Sequence, residues 1–122
     1  MTLFNIISAV EERFSYCDTK EVTKIVRGLE QRIIDEIFSP YGIELSIKCD
    51  EEIKNIYAPL ILNDEHILLY VYYVFSVLAL KEMDIDSANA YSVAFNEKFA
   101  ELSASYRRKN IPIKNTKLSG GV

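Results

Sequence analysis

The 122-residue chain has no tryptophan, one histidine, two cysteines, three prolines and four glycines. Each scarcity removes a class of function or fold. His66 alone cannot supply the paired Glu-x-x-His motifs of a di-iron helical bundle. Nor can it complete a zinc site with Cys17 and Cys49, which stand 32 positions apart and form none of the usual ligand pairs. The same cysteines are too few for a disulfide framework, so they read as buried thiols in a reduced, cytoplasmic setting. An acyl-transfer nucleophile is equally unsupported, because both thiols would have to share His66 as base. The glycines fall at 28, 42, 120 and 121, leaving no Gly-rich phosphate loop. So little glycine and proline also argues against a turn-rich all-β sandwich. Gly28 sits mid-helix, where it costs roughly 1 kcal/mol relative to Ala, and close approach of a neighbouring helix is the expected reason.

Long apolar runs are also missing. The longest, Ile67 to Leu80, spans 14 residues and is broken by Ser76. A bilayer span needs ~20, so this run reads as a buried helix. Met1–Val10 lacks the basic start and small-residue cleavage site of a secretory signal, so none is expected. What is present is ordinary for one globular domain: 49% hydrophobic and 26% charged residues. The net charge of −4 hides a division. From Arg107 onward there are five basic residues and no acidic one, so the last stretch carries +5 and residues 1–106 carry −9. An acidic body with a basic arm suggests contact between the arm and something anionic.

Apolar spacing predicts four helices. Leu3, Ile6, Ile7, Val10 and Phe14 recur at helical intervals, giving a first helix over about Leu3–Tyr16 that Thr2 can cap. Asp18 and Glu21 stand three apart like a capping box. After them Val22, Ile25, Val26, Leu29, Ile33, Ile34 and Ile37 carry a second helix to Ser39-Pro40-Tyr41-Gly42. The period then changes. Ile43, Leu45, Ile47 and Cys49 alternate with polar residues as in a half-buried strand, and 53–62 supplies a return strand that Pro59 confines to an edge. A short helix at Asp50–Tyr57 is the competing reading. A third helix begins after Asn63 or Asp64 and runs to about Met83. It is apolar on every face, so it needs neighbours all round, and any uncovered face is a candidate subunit interface. The short link Asp84-Ile85-Asp86 returns a fourth helix antiparallel beside it, over about Ser87–Lys109. Tyr91, Phe95, Phe99 or Leu102, and Tyr106 form its apolar stripe. The expected fold class is therefore mainly α. A four-helix, bundle-like domain spans 1–109, with a β-hairpin excursion over 43–62 and a mobile basic arm over 110–122.

Two features call for a role. Tyr70, Tyr72, Tyr73, Tyr91 and Tyr106 concentrate in the last two helices, either as core aromatics with hydroxyls at the rim or as interface anchors. Asn89 and Asn96 stand seven apart on one helix face, which suits either buried amides fixing the helix pair or a solvated surface. No catalytic residue, metal or cofactor is expected.

Leu69-Tyr70-x-x-Tyr73, Glu82, Asn89, Phe95-Asn96, Phe99 and Tyr106-Arg107-Arg108 together resemble the head–tail connector, or head-completion, proteins of tailed bacteriophages and prophages. The last two helices of that family commonly read LYxxY…YN…FNxxY…YRR at these intervals. The resemblance covers about Leu60 to Pro112 and, more loosely, Leu3–Phe38. The chain departs from the pattern at Ala88, where the family often has Tyr, at Phe99, which stands for Tyr, and at Ser105, which stands for an aromatic residue. Asp84-Ile85-Asp86 replaces a short turn that often contains Gly.

The resemblance implies a structural, non-enzymatic subunit of a ring, typically of twelve copies, docked beneath the portal in the virion neck after synthesis in the host cytoplasm. Such a ring extends the DNA channel and offers a platform to the tail or a stopper protein. Related connectors send their C-terminal segment into the portal, which assigns Arg107, Arg108, Lys109, Lys114 and Lys117 to portal binding here, with non-specific contact to channel DNA as a second use of the charge. Tyr70, Tyr73, Phe95 and Tyr106 would organise the helix pair, and Asn89 and Asn96 would fix its register. The rival reading is a small helical interaction or regulatory module. A nucleic-acid-binding domain fits less well, since only the tail is basic and the acidic body repels DNA.

Overall fold

The computed structural model describes residues 1–14, 18–41 and 59–110. Over these residues the protein is mainly helical: α1 Leu3–Arg13, α2 Thr19–Ile33, α3 Ile67–Lys81 and α4 Ile85–Asn110. α2 runs on through a π-helical turn, Ile34–Phe38, into a 3-10 turn, Ser39–Tyr41. A second 3-10 turn, Asp64–His66, leads into α3. Residues 43–58 of the expected hairpin lie outside the described residues, while its last four, 59–62, make no strand beyond one isolated bridge. Of the expected arm, Asn110 instead ends α4, and 111 onward lies outside the described residues.

α1 starts where the sequence places it. The Thr2 backbone N–H donates to Asn5 Oδ1 at 2.8 Å, and the Thr2 hydroxyl donates to the same oxygen at 3.1 Å. It ends at Arg13 rather than Tyr16, because Phe14 turns to extended backbone while its ring stays buried edge-on against Phe75, 5.4 Å away. Asp18 caps α2 by accepting from the Lys20 N–H at 3.0 Å. Glu21 does not close the capping box expected of it; its carboxylate is paired with Lys81 on α3. Val22, Val26, Leu29 and Ile33 are buried along α2, and the π turn keeps Ile34, Ile37 and Phe38 inward as well. Gly28 corrects an expectation. Among the described residues no neighbouring helix approaches it, and a Cβ there would meet nothing within 4 Å.

α3 packs against α1, α2 and α4, which explains its all-round apolarity. Leu69, Tyr70, Val71, Val74, Leu78 and Ala79 are buried, while Leu68 and Leu80 reach solvent. The α3–α4 turn is a Schellman motif: Asp84 N–H bonds to the Ala79 carbonyl at 2.9 Å and Met83 N–H to the Leu80 carbonyl at 3.0 Å. Such a turn requires a left-handed residue, and here Met83 takes that place with φ 65°. Asp84 then caps α4 through the Ser87 N–H at 3.2 Å. The helices run antiparallel, Phe75 meeting Tyr91 and Tyr73 meeting Phe95.

The segment before α3 is stitched to the start of the chain. Pro59 forms an isolated antiparallel bridge with Thr2, and Leu60 N–H donates to the Met1 carbonyl at 3.0 Å. Leu60 and Leu62 are buried. No helix among the described residues is long and apolar enough to cross a membrane.

Candidate functional site

The sequence-predicted residues separate into three places. Tyr70 lies in the centre of the core, completely buried on α3. Its hydroxyl donates to Glu30 Oε2 at 2.9 Å. The same oxygen accepts the Ile61 N–H at 2.8 Å, and Glu30 Oε1 accepts from Arg27 Nη1 at 2.7 Å. Glu30 is itself completely buried. Three donors on one carboxylate, one of them a guanidinium, offset what the water-free site costs a charge. Burial among apolar side chains raises the Tyr70 phenol far above its ordinary value, and the Glu30 charge raises it further. Among the described residues, no buried side-chain polar atom lacks a hydrogen-bond partner. The cluster therefore joins α2, α3 and the 59–63 segment as a hydrogen-bonded structural centre. Sequence reading by apolar residues alone missed it. The signal was present: Glu30 follows Val26 by four and precedes Ile33 by three, so it stands on the buried stripe.

The second place is the α3–α4 interface. Tyr73 packs on Phe95 at 5.0 Å between ring centroids, and Phe95 on Phe99 at 5.5 Å. Tyr91 bridges Tyr72 and Phe75, at 6.4 and 5.0 Å. Tyr106, half-buried, lies 4.9 Å from Phe38. Two arginines not singled out by sequence complete these groups: Arg13 Nε donates to the Tyr91 hydroxyl at 3.1 Å, and Arg32 lies 4.5 Å over the Phe99 ring. These described tyrosines thus spend their rings within the fold.

The third place is solvent. Asn89 and Asn96 share a face, as their spacing requires, but that face is exposed, with Val93 59% exposed between them. Among the described residues, the contacts between α3 and α4 are instead aromatic pairs, with a capped turn joining the two helices. Arg107 and Arg108 are exposed near the end of α4. Helix α4 carries the backbone of Lys109, and Lys114 and Lys117 lie outside the described residues.

His66 sits between two clefts of about 330 and 370 Å³ that share Glu65, His66 and Ser105. Its Nε2 lies 3.3 Å from Glu65 Oε1, and Glu65 is 70% exposed, so the two form a solvated surface pair. Among the described residues, no three His, Cys, Asp or Glu side chains group as a metal site. Comparison of the chain with protein-family models, with curated proteins and with solved structures gives no match.

Proposed function

We propose that this protein is a structural subunit of a bacteriophage head–tail connector, acting by association rather than by catalysis. In this reading it docks as a ring beneath the portal, in the virion neck, and presents a platform to the tail or a stopper protein. Residues 1–109 form the body, 43–62 a hairpin excursion, and 110–122 the docking arm. Arg107, Arg108, Lys109, Lys114 and Lys117 meet acidic portal surface, with channel DNA as a second, non-specific contact.

The observation that carries the reading is the α3–α4 hairpin. Tyr70, Tyr73, Phe95 and Tyr106, whose spacing underlies the resemblance, all have their rings in the packing of this hairpin and its supports. The exposed Arg107-Arg108 pair follows directly and opens the basic stretch. Mass measurement of the chain alone and with portal tests the reading. A connector subunit is monomeric or weakly associated when free and forms a ring on the portal. A chain that leaves portal unbound, and instead forms a tight one-to-one complex with another protein, is the small helical interaction module of the rival reading.

A further inference from the structure

The α3–α4 turn carries a residue that the fold does not explain. Left-handed backbone disfavours any L side chain with a Cβ, and glycine is the usual occupant of this Schellman position. Met83 adopts it with φ 65°, yet is 80% exposed and so recovers little from packing. Leu80 and Ile85, its neighbours across the turn, are 57% and 50% exposed. Glu82, Asp84 and Asp86 interleave with them. Of the nearby cations, Lys81 is paired with Glu21, and Arg13 is bonded to Tyr91 while also feeling the charges of Glu82 and Asp84. The tip of the hairpin is thus an apolar trio in an acidic rim.

The chain holds one segment of the opposite character. Residues 107–117 read Arg-Arg-Lys-Asn-Ile-Pro-Ile-Lys-Asn-Thr-Lys, pairing Ile111 and Ile113 with five cations and no anion. The segment cannot reach its own tip. α4 separates them by 26 residues, which is about 39 Å of helix. From Asn110 to Ile113 the chain covers at most about 11 Å, and to Lys117 about 25 Å, even fully extended.

We propose that the acidic, apolar tip formed by Leu80, Met83 and Ile85 binds the basic segment 107–117 of a second copy of this chain. The contact joins unlike surfaces, head to tail, so repeating it builds a closed ring or an open filament rather than a two-fold dimer. The self-association stands on the tip and the segment alone. Its use in a ring rests on the connector reading, where the cations of the segment are shared between the neighbouring subunit and the portal.

Complementation between two full-length variants tests this. Met83→Gly removes the tip's anchor while relieving the backbone, and Lys114→Glu/Lys117→Glu spoils the segment far from the turn. Sedimentation of the parent chain shows association that strengthens with concentration up to ~1 mM, the weak end of specific binding, and weakens with added salt. Each variant alone associates at least tenfold more weakly. Mixed together, they form heterodimers that grow no further, because one intact tip meets one intact segment. A parent chain that stays monomeric throughout, variants that associate like the parent, or a mixture that stays monomeric would each overturn the proposal. Attachment to portal-containing heads is scored separately. Heads that bind a chain with no self-association refute this contact and leave the connector reading standing.

Discussion

Tyr70 donates its buried hydroxyl to Glu30 at 2.9 Å, and this bond ties α3 to α2 through the middle of the core. Because Glu30 also holds Arg27 and the Ile61 N–H, the carboxylate organises three parts of the chain at once.

Removing Tyr70's hydroxyl leaves Glu30 one donor short. Tyr70→Phe is expected to cost about 1–3 kcal/mol in urea unfolding, the usual range for a buried bond to a charged group. Glu30→Ala strands three donors and costs more, roughly 3–5 kcal/mol. The double variant then falls well short of the sum, since both changes act on one network. Additive losses would show that the two residues stabilise the fold independently.

Alkaline pH reads the same bond. The Tyr70 phenol is raised above its ordinary value of 10.0 chiefly by burial, so the folded protein holds this proton more tightly than the unfolded chain. Its contribution is fully present below the unfolded value near 10 and is lost as pH climbs above it towards the folded value. Unfolding midpoints measured across that window fall more steeply for the parent chain than for Tyr70→Phe. Equal slopes would contradict the assignment.

Asp84 acts at the acidic end. Its bonds to the side chain and backbone of Ser87 lower its carboxyl below the ordinary range. The cap's contribution is present above the unfolded value near 4 and disappears as pH falls through the lower folded value. Asp84→Asn retains a capping oxygen but removes this titration, so its stability curve is flatter at acid pH, while Asp84→Ala lowers the unfolding temperature at neutral pH.

Two glycine exchanges run in opposite directions and both stabilise. Gly28→Ala places a methyl on α2 where no described residue comes within 4 Å and gains about 1 kcal/mol of helix propensity. Met83→Gly relieves the left-handed backbone at an exposed position and gains about 0.5–1 kcal/mol. A destabilised Gly28→Ala chain would mean that the space around α2 is filled in solution.

Where periodicity was strong, the sequence announced the structure: the stripes of α1 and α2, the Asp18 cap, and the antiparallel α3–α4 pair all follow from spacing and turn chemistry. Four features were not legible in this way. Glu30 stands on an apolar stripe, but burial of a carboxylate depends on donors from Tyr70 and Ile61, which are 40 and 31 residues away. Asn89 and Asn96 declare a shared face without declaring which way it looks. Met83's conformation follows from where α3 stops, and helix ends are poorly marked when no glycine or proline stands there. The π turn at Ile34–Phe38 is hidden for a related reason: its buried residues keep nearly the spacing of an α-helix.

The most direct test of the connector account compares the full chain with one ending at residue 109, each added to purified portal-containing heads that lack the protein. The account predicts that both chains unfold at the same urea concentration, and that the full chain alone binds the heads and lets tails join. Heads completed equally well by the shortened chain would contradict it.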